Sequence, residues 1–412
     1  MGVVSMLADE WLSVPIGIDG QRWVTRAGCR TVLVVVHTIT SGQRLLDVVD
    51  YVESDPRVQV IFTVAPDAFN HTAAWYLHEL GALVLPWQQA IRERFDLALS
   101  AAYGGLRDLH APLLVMAHGA GYGKLVRPWE HGGPTLIHRP VYGLDTERLV
   151  RDGRVLASAL LLAHDGELEV LRRQCPEAVP AAVIAGDPCF DRLVASVPER
   201  SGYRRALGVR ADQKFVVVSS TWGRDGVFGQ EPDLLPRLMD QLCPAGFRVG
   251  GLLHPAVWSA HGTRQVRAWT RDCRAAGLIL PGPTEDWRAM LVAADYVIGD
   301  HGSVTAYAAA LGRPVLCLAS AAADTGRGSP QELVLASAGR LDPDLPLLPQ
   351  LRAARPLTTT TAVVAAVTSR PGQAARVIRQ TMYRLLRLRE PGGHRRATPV
   401  PLPDGQPAAV AA

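Results

Sequence analysis

The stretch Glu285-Asp286-Trp287-Arg288, followed by Met290-Leu291-Val292-Ala293-Ala294-Asp295-Tyr296-Val297-Ile298-Gly299-Asp300-His301-Gly302-Ser303-Val304, decides how this chain is read. Its pattern predicts a helix running into a strand, Tyr296 to Ile298, that ends at Asp300. Gly302 and Ser303 then stand where the next helix, Thr305 to Leu311, begins. There the unsatisfied backbone N–H groups and the positive end of the helix can hold a diphosphate, and the Ser303 hydroxyl can cap the helix or donate to phosphate. The same two residues also suit a plain turn and cap. Leu311-Gly312-Arg313-Pro314-Val315-Leu316 returns the chain to a strand in the same order, which favours the nucleotide-holding reading.

Working outward, the alternation of short apolar runs with amphipathic stretches begins at Arg30, the rhythm of buried parallel strands covered by helices. Strands are predicted at 31–36, 58–64, 83–85, 113–117 and 182–184, with helices such as 43–53 and 72–80 between them. Around 197–202 the sequence turns polar and breaks at Pro198 and Gly202. A second set of strands follows at 215–219, 247–253, 278–280, 296–298 and 315–318. The expected organisation is an N-terminal arm (1–29), a Rossmann-like acceptor domain (30–197), a Rossmann-like donor domain (198–370) and a basic helix with a disordered tail (371–412). In an α/β pair of this kind ligands belong at the carboxyl ends of the strands, in the crevice between facing halves.

Within 376–389, Ile378, Met382, Leu385 and Leu386 share one helical face and arginines fill the other. Such a helix either packs on the body or lies on an anionic membrane. From Pro391 onward, Pro, Gly and Ala predominate, the composition of a disordered tail.

The 412 residues suffice for two domains with large cores, and 48% hydrophobic against 20% charged residues excludes a largely disordered chain. A balance of 43 basic and 39 acidic residues gives a net charge of +4, too even for a nucleic-acid binder. Cys29, Cys175, Cys189, Cys243, Cys273 and Cys317 are scattered without metal-ligand spacing, so no metal is expected and the thiols read as reduced core residues of a cytoplasmic protein. No apolar run approaches the length of a membrane span. Any membrane role is expected to be peripheral, at the inner face.

Two histidines stand at predicted strand ends. His254 precedes Pro255 at the end of 247–253, where its imidazole can neutralise a leaving phosphate or simply close a loop. His118 opens His118-Gly119-Ala120-Gly121-Tyr122-Gly123-Lys124. Its glycines permit close backbone approach to a ligand, and the imidazole is placed to take the proton of an attacking hydroxyl; otherwise the segment is a flexible loop after a strand. His37, His164, Asp67 and His71 are weaker candidates because none has a supporting residue.

Taken together, these segments resemble the glycerophosphotransferases that build teichoic acids, members of the GT-B nucleotide-donor transferases. Asp300, His301, Gly302 and Ser303 occupy the places of the family's Asp-Tyr-Ser-Ser, with two of four identical. Gly186-Asp187-Pro188-Cys189-Phe190-Asp191-Arg192-Leu193 fits its Gly-x-Pro-x-x-Asp-x-Leu at the domain junction. Ser219-Ser220-Thr221-Trp222-Gly223-Arg224 is similar to its Pro-Thr-Trp-Arg loop with one Gly inserted, and Leu252-Leu253-His254-Pro255 to its strand-ending His-Pro. His118-Gly119 and Lys124 resemble its His-Gly-x-x-x-Lys, one residue longer here. The family's acidic residue in the helix after Ser303 is replaced by Tyr307.

The resemblance implies a GT-B fold of two Rossmann-like domains and transfer of glycerol phosphate or a sugar from a nucleotide-diphosphate donor, CDP-glycerol or a nucleotide sugar, to an unidentified acceptor hydroxyl. It implies His118 as general base and His254 as the second catalytic group. Donor contacts fall to Thr221, Trp222, Arg224, Pro255, Asp300, His301, Gly302, Ser303 and Val304, and an acceptor or phosphate loop to Gly119, Gly121, Tyr122 and Lys124. No cofactor is required. A nucleotide-sugar 2-epimerase and a non-catalytic nucleotide-binding relative are the alternatives.

Overall fold

The computed structural model describes residues 11–17, 20–126, 139–318, 324–393 and 395–403. The chain divides into two compact units. One comprises Met1–Gly119, Gly143–Pro188 and Gly372–Arg396; the other comprises Ala120–Tyr142, Cys189–Pro371 and Ala397–Ala412.

The first unit is built on β1 (Arg30–Val36), β2 (Val58–Val64), β3 (Val84–Leu85), β4 (Leu97–Ser100), β5 (Leu113–Val115), the strands of a small hairpin β6 (Val150–Arg151) and β7 (Arg154–Val155), β8 (Ala157–Leu162) and β9 (Ala182–Ile184). Seven of these form one parallel sheet in the order β3-β2-β1-β4-β5-β8-β9. Val32 to Val36 are wholly buried, as a central parallel strand between two helical layers requires. Each such side chain contributes roughly 1.5–3 kcal/mol of burial. β4 and β8 were not anticipated. Their Ala-Leu composition favours helices in isolation, and only pairing with β1, β5 and β9 holds them extended.

The helix Ile39–Glu53 starts earlier than predicted because Thr38 and Ser41 form a reciprocal capping box. The helix Ala374–Leu386 belongs to this unit. Ile378, Met382 and Leu386 are buried in its core with Leu385 packed against them, so the apolar face that membrane contact would need is covered.

The second unit carries β10 (Lys214–Ser220), β11 (Phe247–Leu253), β12 (Tyr296–Gly299), β13 (Val315–Cys317) and β14 (Gly339–Arg340), a parallel sheet in the order β11-β10-β12-β13-β14. The predicted strand at 278–280 is a single bridge from Ile279 to Gly250, because Pro281, Gly282 and Pro283 stop the pairing at once. The break read at Pro198 and Gly202 lies inside this unit. Pro198 sits in the first turn of a short 3₁₀ segment, a position proline tolerates, and Phe190, Leu193 and Tyr203 on either side enter the same core.

The tail expected to be disordered from Pro391 is docked as far as its described residues run. Val400 is buried, its N–H donates to Ser196 Oγ at 3.0 Å, and its carbonyl accepts from Tyr203 Oη at 2.7 Å. Backbone hydrogen bonds and one apolar anchor suffice to hold an extended segment whatever its proline content.

Candidate functional site

In an open parallel sheet, ligands bind beyond the carboxyl ends of the strands where the strand order reverses. In the second unit that point lies between β10 and β12, and the chain leaves these strands at Thr221 and Asp300. The buried Asp300 carboxylate accepts the Thr221 N–H at 2.8 Å, the Thr221 hydroxyl at 2.9 Å and the Val227 N–H at 3.1 Å through Oδ2, and the Gly302 N–H at 2.9 Å through Oδ1. This carboxylate, expected as a donor contact, braces the 221–227 loop against the bend at 300–303. Ser220 Oγ adds to the brace by donating to the Thr221 carbonyl and accepting the Phe228 N–H.

Gly302 is the N-cap of the helix Ser303–Ala310, and no side chain caps that end. The Ser303 hydroxyl, read as a cap or phosphate donor, accepts the Ala120 N–H at 3.0 Å. The N–H groups at the start of the helix are thus left without a side-chain partner, the arrangement that favours an anion. A side chain at Gly302 would put its Cβ 2.8 Å from Thr221 Cγ2 and 3.1 Å from Asp300 Oδ1. Val304 packs on the apolar core, which limits it to its backbone N–H. His301 is half-buried, with its Nδ1 buried and unpartnered among the described residues.

His254 ends β11 and caps the helix Pro255–His261, its Nδ1 accepting the Ala256 N–H at 3.1 Å. Because that nitrogen accepts, the proton of the neutral ring resides on Nε2, which is a donor. Pro255 fills the first helical position, where proline costs nothing. Trp222 is 38% exposed, with Lys124 Nζ 5.9 Å from its ring centroid, and Arg224 is exposed on the same loop. Gly121 adopts a φ of +67° and Tyr122 is half-buried.

Sequence reasoning missed Gln331. It is buried on the helix Pro330–Ser337 and donates through Nε2 to the Ala120 carbonyl at 3.2 Å and to Ser303 Oγ at 3.5 Å. Its Oε1 would lie 2.3 Å from a Cβ at Gly123 and Ser329 Cβ 2.9 Å from it, so a side chain at that position would force Gln331 and Ser329 to shift. Nothing local to residue 331 signals this, because its partners are remote in sequence.

Tyr307, in place of an acidic residue, is buried and stacked with Phe190 at 6.4 Å and Trp287 at 5.9 Å. It belongs to the core. Burial also pushes the Cys317 thiol up to about 12, making it an inert core residue.

In the first unit the strand order reverses between β1 and β4. His37 follows β1, Ala101 follows β4 and His118 lies beyond β5. His118 Nδ1 lies 2.9 Å from the Ala101 carbonyl, which can only accept, so Nδ1 carries the proton and the basic lone pair belongs to Nε2. The Gly119 carbonyl after it accepts from Arg44 Nη2 at 2.8 Å, while Arg44 Nη1 pairs with Asp187 at 3.1 Å, both side chains buried. His37 is buried, its Nε2 donating to the Gly104 carbonyl at 2.8 Å, and burial holds its imidazole below the ordinary 6.5.

His164 caps the helix Asp165–Gln174 by accepting the Gly166 N–H, Asp67 accepts the Phe69 N–H in a turn, and His71 is exposed. Among the described residues no group of three or more acidic, histidine or cysteine side chains is placed to hold a metal, and no helix is long and apolar enough to cross a membrane.

No protein-family model and no curated protein matches the sequence. Among solved structures, the chain is similar to the wall teichoic acid polymerase TagF, in a variant soaked with CDPG, at 14% identity and a TM-score of 0.55 over 87% of this chain and 88% of that one. It is similar also to S. aureus MnaA with UDP, at 12% identity and a TM-score of 0.55 over 89% and 99% of the two chains. A putative UDP-N-acetylglucosamine 2-epimerase from Listeria monocytogenes matches at 12% identity and a TM-score of 0.53 over 88% and 98%. Identities this low speak to architecture alone, and the architecture is that of the GT-B fold, realised here in two α/β units on parallel sheets.

Proposed function

We propose that the protein is a transferase that moves glycerol phosphate or a sugar from a nucleotide-diphosphate donor to an acceptor hydroxyl. The carrying observation is that the two strand-end histidines have opposite tautomers imposed by backbone partners: His118 keeps a basic Nε2 and His254 a donating Nε2–H. One ring suits proton removal from a nucleophile, the other suits stabilisation of a departing oxyanion. The uncapped start of Ser303–Ala310 supplies the N–H groups and positive helix end for the diphosphate.

In this scheme the acceptor O–H gives its proton to His118 Nε2. With CDP-glycerol the oxygen attacks phosphorus and the P–O bond to CMP breaks; with a nucleotide sugar it attacks the anomeric carbon and the nucleoside diphosphate leaves. His254 Nε2–H and the helix N–H groups take up the negative charge that develops on the leaving group. Trp222, Arg224 and Lys124 offer an aromatic face and cations on the same unit. The similarities to TagF soaked with CDPG and to MnaA with UDP, at the same TM-score of 0.55, keep CDP-linked and UDP-linked donors both in view.

A non-catalytic nucleotide-binding relative is the competing reading, favoured by Tyr307, which removes an acidic group from the donor helix. A 2-epimerase needs acid/base carboxylates, and Ser303–Ala310 carries none. The deciding experiment supplies CDP-glycerol and UDP-sugars with candidate acceptors and follows CMP or UDP release. Turnover abolished by His118→Ala with donor affinity intact supports the transferase; donor binding without turnover in the wild type supports the relative.

A further inference from the structure

The first unit has a pocket of about 870 Å³ that the proposed reaction does not use. It forms where the loop 54–57 before β2 meets the end of the helix Ala374–Leu386 and the segment after it. Residues 54–57 lead into the amino end of β2, so the pocket lies at the opposite edge of the sheet from His37 and His118.

Its walls carry four guanidinium groups, Arg57, Arg379, Arg389 and Arg395, against two carboxylates, Asp55 and Glu390. The carboxylates are already engaged. Asp55 takes Arg57 in a forked pair at 2.9 and 2.6 Å together with the Tyr383 hydroxyl at 2.8 Å, which holds its carboxyl well below the usual range. Glu390 pairs with Arg379 at 3.1 Å. Arg395 pairs with Asp50 at 3.6 Å and donates to Ser54 Oγ at 2.9 Å.

Two features remain unexplained by the fold. Arg389 has no acidic partner among the described residues. Arg379 is only 6% exposed, yet its Nε–H is buried without an acceptor. A buried guanidinium donor left unsatisfied is costly, and surplus positive charge gathered in one concavity is repulsive unless an anion enters. Guanidinium forks match the oxygens of a phosphate, and the volume exceeds what a bare phosphate ion fills.

We infer that this pocket is a second anion site, which receives the phosphate or diphosphate group of a larger molecule. The same chemistry is presented by a free organic phosphate and by the headgroup of an anionic lipid.

The test uses the full-length protein. Pyrophosphate and glycerol 3-phosphate are titrated calorimetrically, and co-sedimentation is measured with phosphatidylcholine vesicles with and without phosphatidic acid. Because the donor site also takes diphosphates, each titration is repeated with Arg389→Gln, Arg395→Gln and, as the donor-site control, Gly302→Ala. Folding is checked by circular dichroism; Arg389 is exposed and without an ion pair among the described residues, so Arg389→Gln is expected to leave the fold intact. The expected result is a binding event that weakens about tenfold in Arg389→Gln and persists in Gly302→Ala, one charge-assisted hydrogen bond being worth about that factor. An event seen only with the soluble phosphates identifies a free metabolite, and one seen only with phosphatidic acid vesicles identifies a lipid headgroup. Binding equal in wild type and both arginine variants, or none with any probe, overturns the inference while leaving the donor-site reading untouched.

Discussion

The Asp300 carboxylate ties the end of β12 to the end of β10 by taking both the backbone N–H and the hydroxyl of Thr221, at 2.8 and 2.9 Å, where the strand order of the second unit reverses. One buried group thereby fixes two loops that a ligand at this point must touch. Asp300→Asn retains one oxygen but turns an NH₂ toward a backbone N–H. Stability is expected to fall by about 1–3 kcal/mol, read from thermal or urea unfolding, whereas Thr221→Val, which loses one hydroxyl bond, costs about 1 kcal/mol.

Gly302 is hemmed in by Thr221 Cγ2. Gly302→Ala is expected to cost about 1–3 kcal/mol and to weaken donor binding by moving the helix start. Thr221→Ser removes the obstructing methyl and keeps the hydroxyl, so the double variant should regain most of the loss. A double variant no more stable than Gly302→Ala would show that the clash is not the cause.

His254 has two separable duties, the helix cap through Nδ1 and donation through Nε2–H. Asparagine at an N-cap accepts the same N–H, so His254→Asn should keep the melting temperature near wild type while turnover falls about 10²-fold or more. His254→Ala should lose the cap as well, about 1 kcal/mol. Unchanged turnover in both variants would confine His254 to capping.

Arg44 and Asp187 form a buried pair whose arginine also holds the Gly119 carbonyl next to His118. Arg44→Met removes the buried cation beside the Asp187 carboxylate, and about 3–5 kcal/mol of stability should be lost; Arg44→Met with Asp187→Leu should recover much of it. With fold restored but the Gly119 carbonyl unheld, turnover should stay low, which separates positioning from stability.

Burial depresses the imidazoles of His37 and His164 below their ordinary 6.5. Folding favours their neutral forms, so their contribution is fully present above pH 6.5 and is lost as pH falls from there toward the folded values. Unfolding free energy is therefore expected to decline between pH 7 and 5. His37→Asn is expected to flatten that decline, since it removes the more deeply buried ring. An unchanged slope would place the pH dependence elsewhere.

The valine-rich runs at 32–36 and 216–218, the Asp300-His301-Gly302-Ser303 bend and the His-Pro at 254 were all legible in the sequence, because burial between helices and turn chemistry are written in local residue types. They determined the α/β class, the parallel sheets and the position of His254 at a strand end. Strands β4 and β8 were not legible, since alanine and leucine take the conformation their neighbours impose. Tertiary structure alone decided the rest. It spent the Asp300 carboxylate on bracing two loops, put Tyr307 into an aromatic stack, joined Gln331 to Ser303 and Ala120, and set the tautomers of His118 and His254 through remote carbonyls and nearby N–H groups. The reason is physical: periodicity reports what a residue does for its own element, whereas hydrogen-bond satisfaction of a buried group is settled by whichever partner the fold brings beside it.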